Sequence, residues 1–158
     1  MPDKVDKELV ERFITVVMKL HDVIIKTSGG ETGIRDRGGL YNSCYKVLSV
    51  SLKHQNDPLY VSAFTYAEFA KRHHFVDGNK RTAHILGKIF LEEGRYHLIP
   101  PYNKVVDFIV SIAKDDLNIN KIKKWLKKNS SKIKKHETNI DKYLKRSVEK
   151  LYSGSNGN

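Results

Sequence analysis

The 158-residue chain has one cysteine, four prolines and one tryptophan. A single cysteine, Cys44, excludes an intramolecular disulfide framework and fits a reducing cytoplasm. It reads as a small core residue, since a nucleophilic role would need a neighbouring base. Long apolar runs are missing too. The most apolar early stretch, Phe13 to Ile25, is broken by Lys19, His21 and Asp22, which excludes a membrane span there. Met1 to Arg12 is too charged for a secretory leader. Acid is scarce beside base: 18 Asp and Glu face 29 Lys and Arg, a formal charge of +11. That balance favours solubility and an acidic partner without specifying nucleic acid. No internal repeat is visible, and the length suits one domain with a real core.

Helical periodicity accounts for most of what is there. Leu9, Phe13, Val16, Val17, Leu20 and Ile24 form an apolar stripe over a predicted helix 6–27, with His21 beside it as a hydrogen-bonded core-edge histidine. Gly29-Gly30 stops that helix. Five of the ten glycines fall in 29–40, so this stretch reads as a loop or short hairpin. Further helices are predicted over 40–53, 58–72, 78–93, 103–115 and 118–128, with Pro58 in a first turn and Trp125 and Leu126 anchoring the last to the core. From Lys121 to Lys135 lysine recurs at almost every second residue with no acid among them. Residues 137–152 then have the spacing of a polar helix, and Ser153 to Asn158 read as disordered. The expected organisation is a core over 1–129 and a basic extension over 130–158. The extension is a solvated face with an extra packing helix, or a docking surface for an acidic protein or RNA.

The chemistry concentrates in His73-His74-Phe75-Val76-Asp77-Gly78-Asn79-Lys80-Arg81-Thr82-Ala83. An apolar helical run follows it (Ile85, Leu86, Ile89, Phe90, Leu91), and Asp77-Gly78-Asn79 supplies a helix start. The free N–H groups of that start lie beside Lys80 and Arg81, which makes an anion site. Asp77 at its mouth suits a magnesium ion bridging phosphate oxygens. His73, just upstream, suits a general base. Anion cradle, metal carboxylate and base together point to phosphoryl or nucleotidyl transfer. Any one of these residues alone would read as solvated loop.

At these residues the chain resembles the Fic/Doc superfamily, whose active-site motif has the form His-x-Phe-x-Asp-Gly-Asn-Lys-Arg. It looks closest to the death-on-curing (Doc) toxins. Gly29-Gly30-Glu31-Thr32-Gly33-Ile34-Arg35-Asp36-Arg37-Gly38-Gly39-Leu40 is similar to a second Doc-like segment. The resemblance runs from about residue 8 to about residue 128. It implies an all-α bundle of six or seven helices around a central motif helix, with a short β-hairpin flap. It implies His73 as general base toward a target Ser, Thr or Tyr hydroxyl, and Asp77 orienting Mg2+ on the phosphates of ATP. Gly78, Asn79, Lys80 and Arg81 would hold the phosphates, and Phe75 would pin the loop to the core. Gly33, Ile34, Arg35 and Asp36 would form the flap that aligns the target by strand addition. Arg35 and Asp36 equally suit pairing with each other or capping the next helix. His74 stands where relatives often have proline and carries no implied catalytic role.

Two departures bear on the reaction. Adenylyl-transferring relatives usually carry Gly where this chain has Lys80, and a second arginine where it has His84. Lysine at that place is associated with an inverted nucleotide and phosphorylation. The expectation is therefore a Doc-like kinase toxin, with elongation factor Tu as the family's typical target. AMP or UMP transfer is the alternative, because Doc-type motifs often have Ala where this chain has Gly78. A non-catalytic basic module that binds nucleotide or RNA is the further alternative. Self-inhibiting relatives carry a Ser/Thr-x-x-x-Glu-Gly/Asn helix. The near match Thr27-x-x-x-Glu31-Thr32 is interrupted by Gly29-Gly30, so inhibition by a separate antitoxin is expected.

Overall fold

A computed structural model of the chain describes residues 4–114 and 117–133. The predicted helix over 137–152 and the predicted disorder at 153–158 lie outside the described residues.

The architecture is all-α, with six helices and one small antiparallel sheet among the described residues. Helix α1 spans Lys7–Ser28, capped by Asp6, whose carboxylate accepts from Leu9 N–H at 2.8 Å. Its buried face is Val10, Ile14, Val17, His21, Ile24 and Ile25. The expected stripe was rotated from this one: Val16 is exposed, and Leu9, Phe13 and Leu20 are only half-buried. Apolar residues are so dense in this helix that two stripes satisfy the same spacing. The stripe that also contains His21 wins because that histidine has a buried partner.

Helix α2 spans Arg37–Lys53 and starts three residues before the predicted position. Asp36 caps it, accepting from Gly39 N–H at 2.8 Å, so Gly38 and Gly39 sit in a helical first turn and not in a loop. Cys44 lies on its inner face, and burial pushes the thiol up to about 12, so it is packing and not chemistry. Helix α3 spans Pro58–Lys71, with Asp57 as cap and Pro58 in the first turn. Leu59, Val61, Ala63, Tyr66, Phe69 and Ala70 are all buried, and only the face with Tyr60, Phe64, Glu68 and Lys71 is half-exposed. It touches α2 and its main partner is α4, Asn79–Glu93. The centre is therefore this helix pair, with the motif helix as one half. The two cross closely at Gly87, whose carbonyl accepts from Ser62 Oγ at 2.7 Å.

Strand β1 (Tyr96–Leu98) follows α4, and two helices follow it, α5 (Tyr102–Ala113) and α6 (Ile119–Lys128). Both pack on α3. Ile122 and Leu126 of α6 are fully buried, and Trp125 stacks on Phe108 of α5 at 3.8 Å between ring centroids. Trp125 and Leu126 are the predicted anchors; Ile122 joins them. Strand β2 (Ser130–Lys132) then pairs antiparallel with β1, in the register Tyr96↔Lys132, His97↔Ser131 and Leu98↔Ser130. The small sheet is thus built from residues after the motif helix. Of residues 29–40, where the flap was expected, 37–40 open α2 and 29–36 do not fold into a hairpin. They form a single arm that bonds to the motif loop through an isolated Ile34↔Phe75 bridge. No helix among the described residues is long and apolar enough to cross a membrane.

Candidate active site

The motif loop runs from the end of α3 to the start of α4, and four contacts fix its shape. Phe75 is buried and stacks face to face on His21 of α1, 3.8 Å between centroids and 8° between planes. His21 Nε2 lies 2.7 Å from the Asp77 carbonyl. A carbonyl only accepts, so that nitrogen carries the proton. Asn79 closes the turn from its other end: its Oδ1 accepts from Phe75 N–H at 3.0 Å and its Nδ2 donates to Phe75 O at 2.9 Å. Gly78 occupies the left-handed region (φ +77°), and a Cβ there would crowd Ile25 Cδ1 at 3.1 Å.

The arm binds the same loop. Val76 N–H donates to Gly33 O at 3.0 Å, and the N–H groups of Arg35 and Asp36 donate to His74 O at 2.7 and 3.1 Å. The four flap residues are therefore brought beside the motif. Asp36 also caps α2, the second of the two roles its sequence allowed.

Helix α4 begins at Asn79 with Gly78 as its N-cap and no side-chain cap among the described residues. The first helical bond runs from Thr82 N–H to Gly78 O at 2.9 Å. The N–H groups of Asn79, Lys80 and Arg81 precede it, so they face outward at the positive end of the helix dipole. Asp77, expected as part of the helix cap, turns elsewhere. Its Oδ1 accepts from Gly78 N–H at 2.7 Å and its Oδ2 from Glu31 N–H at 3.2 Å. Those two hydrogen bonds, Gly78's first, and then the Arg81 charge hold the carboxyl below the usual aspartate range. Lys80 is exposed. Arg81 donates to Gly29 O at 2.7 Å and to Ser28 Oγ, and its guanidinium lies 3.5 Å from Asp77 Oδ1. The end of α1 thus cradles the motif arginine, as expected for a cation beside helix C-terminal carbonyls.

The remaining histidines separate cleanly. His73 is exposed on the loop. His84, where the second arginine of some relatives would fall, is buried, and its Nδ1 pairs with Tyr66 OH at 3.0 Å. Burial pushes it down to about 3, so it is neutral at physiological pH. Among the described residues no three His, Cys, Asp or Glu side chains converge as a metal cluster. Magnesium is commonly held by one or two carboxylates together with substrate phosphates. An ionised, half-exposed Asp77 beside an uncapped helix start fits that pattern.

Sequence reasoning placed Asp77, Gly78, Lys80 and Arg81 together correctly at one helix end. It missed that the side chain of Asn79 is spent on the loop, leaving only its N–H for a ligand. It also missed His21, Ser28, Gly29 and Gly30 as parts of the site. Gly29-Gly30 directly after an apolar helix was a signal, but it was legible only as a helix stop.

The uncapped start of α4 thus carries a half-exposed aspartate and two cations side by side. The Fic/DOC family model matches residues 14–91, from within α1 through the arm and the motif loop to nearly the end of α4. Over that stretch, just under half of its length, the chain is similar to the Fic/DOC family. No curated protein matches the chain.

Proposed function

We propose that the protein transfers the γ-phosphate of ATP to a hydroxyl side chain of a target protein, in the manner of the Doc toxins it resembles, with elongation factor Tu as target and arrest of translation as the outcome. The observation that carries this reading is the uncapped start of α4, flanked by Lys80, Arg81 and the ionised Asp77. Backbone N–H groups of Asn79 and Lys80 would take the phosphates, with Gly78, its own N–H held by Asp77, allowing the close approach, and Lys80 and Arg81 balancing charge that grows in the transition state. Asp77 would hold Mg2+, which when bound neutralises phosphate charge. His73 accepts the proton of the attacking hydroxyl. Gly33, Ile34, Arg35 and Asp36 align the target segment beside the motif loop.

Phosphoryl transfer is favoured over nucleotidyl transfer by two positions. Lys80 stands in place of glycine, and position 84 offers a neutral buried histidine in place of a second cation. Control by a separate antitoxin belongs to the same reading. Glu31 lies in the arm, outside any helix, so the Thr27–Glu31 pair does not form a built-in inhibitory helix.

The test is the intact mass of elongation factor Tu after incubation with the protein, magnesium and ATP. A gain of one phosphoryl group is expected, reduced by about two to four orders of magnitude in rate by His73→Ala. A gain of a whole nucleotidyl group would replace the reaction while keeping the site. No change, followed by no modified protein in a lysate supplied with each of the four nucleotides, would remove the enzyme reading.

A further inference from the structure

The residue that follows the proposed base belongs to a buried hydrogen-bond chain that the reaction does not use. His74 is 2% exposed and Ser43 1% exposed. His74 Nε2 lies 2.8 Å from Ser43 Oγ, and Ser43 Oγ lies 2.8 Å from Glu68 Oε1. The proton order follows from the donors available. A carboxylate can only accept, so the single hydroxyl proton of Ser43 goes to Glu68. Ser43 must then accept from His74, which places the imidazole proton on Nε2. Glu68 also pairs with Arg72 at 3.5 Å and Lys46 at 3.7 Å. The His74 ring is also held edge to face against Phe69, 5.7 Å between centroids.

The same residue is tied on its backbone. The His74 carbonyl accepts from the N–H groups of both Arg35 and Asp36, Asp36 caps α2, and Ser43 lies two turns further along α2. The connections close a circuit: arm, α2, Ser43, His74, arm. Glu68 ties the circuit to α3, the helix that delivers the chain to His73. A neighbour fixed at both side chain and carbonyl leaves the backbone of residue 73 little freedom.

We infer that His74, Ser43 and Glu68 form a proton-ordered positioning chain that sets the His73 imidazole and the 33–36 arm in register with each other. The inference rests on the reading of His73 as the base and of the arm as the target guide, and assigns the three residues as positioning residues without contact to substrate. Burial holds the His74 imidazole below the ordinary histidine range, more than the Asp36 and Glu68 charges raise it, so the neutral Nε2–H form is the one present at neutral pH.

The experiment compares the wild type with Ser43→Ala, Ser43→Thr and Glu68→Gln, each first checked for cooperative unfolding. Long-range proton–nitrogen NMR of the histidine rings is expected to show the Nε2–H tautomer for His74 in the wild type and Ser43→Thr, and a tautomer mixture in Ser43→Ala. Amide exchange at Arg35 and Asp36 should accelerate about tenfold or more in Ser43→Ala and not in Ser43→Thr. An Nδ1–H tautomer in the wild type, or unchanged exchange in Ser43→Ala, overturns the chain. With elongation factor Tu and ATP as the assay pair, Ser43→Ala should lower kcat about tenfold at unchanged KM for ATP, with Ser43→Thr restoring it. An unchanged kcat overturns the link to His73. If the wild type transfers nothing, the proposed function fails, and tautomer and exchange still decide the chain.

Discussion

Gly30 lies against the Asp77–Arg81 pair: a Cβ at position 30 would overlap Asp77 Oδ2 and stand 3.0 Å from Arg81 Nη2. Its neighbour Gly29 has nothing within 4 Å of the same added atom. Both have positive φ, +121° and +86°, so alanine is strained at either place by about 1–3 kcal/mol. Only at position 30 does it also collide with the site. Gly30→Ala should therefore weaken magnesium-dependent ATP binding about tenfold or more, and Gly29→Ala only slightly. Calorimetric titration of both variants checks this, and equal affinities would mean that the arm does not rest on the site as described.

Asn79 closes the motif loop with two bonds to Phe75. Asn79→Ala leaves the N–H and the carbonyl of a buried residue without those partners, at a cost of about 1–3 kcal/mol. Asn79→Asp keeps the acceptor but sets a carboxylate oxygen against the Phe75 carbonyl in place of the donor, so it does not rescue the loop. Urea unfolding should place both variants below the wild type. Phosphate-site affinity should fall with them, since the loop sets the start of α4.

Gly87 sits inside α4, where alanine would ordinarily add about 1 kcal/mol of helix stability. Here a Cβ would overlap the Tyr66 ring, with Cζ at 2.8 Å, and Tyr66 is wholly buried. Overpacking of that kind costs about 1–3 kcal/mol. Gly87→Ala should lower the thermal midpoint, the reverse of its propensity. A raised midpoint would show that the α3–α4 crossing can open at little cost.

The helices were legible because their signals are local: apolar residues recur at spacings of three and four, and Pro58 opens α3. The caps at Asp6, Asp57 and Asn118, each accepting from an N–H three residues on, are equally local but emerged only in the structure. The cluster at the start of α4 was legible for the same reason, being nine consecutive residues. The rest depends on residues far apart in the chain. Nothing near His21 announces that it meets Asp77, 56 positions later, nor near Ser28 that it meets Arg81, 53 positions later. The arm misled because glycines have two uses. Gly38 and Gly39 are helical under the Asp36 cap, whereas Gly30 and Gly33 provide positive φ where the chain passes the motif.

His84 gives stability a pH dependence with a fixed sign. Its folded value is about 3, against an unfolded value of about 6.5, because burial disfavours the cation. Between those values the unfolded chain binds the proton and the folded chain does not, so stability falls as pH drops from 6.5 toward 3. At pH 5 the loss from this residue alone is about 2 kcal/mol, at 1.36 kcal/mol per unit. Denaturant unfolding at pH 7 and pH 5 should show that loss in the wild type and its absence in His84→Asn, which has no imidazole to protonate. Equal pH dependence in the two proteins would mean that His84 is protonated in the fold. It would then be a cation one turn beyond Arg81, and the argument from position 84 for phosphoryl over nucleotidyl transfer would fall with it.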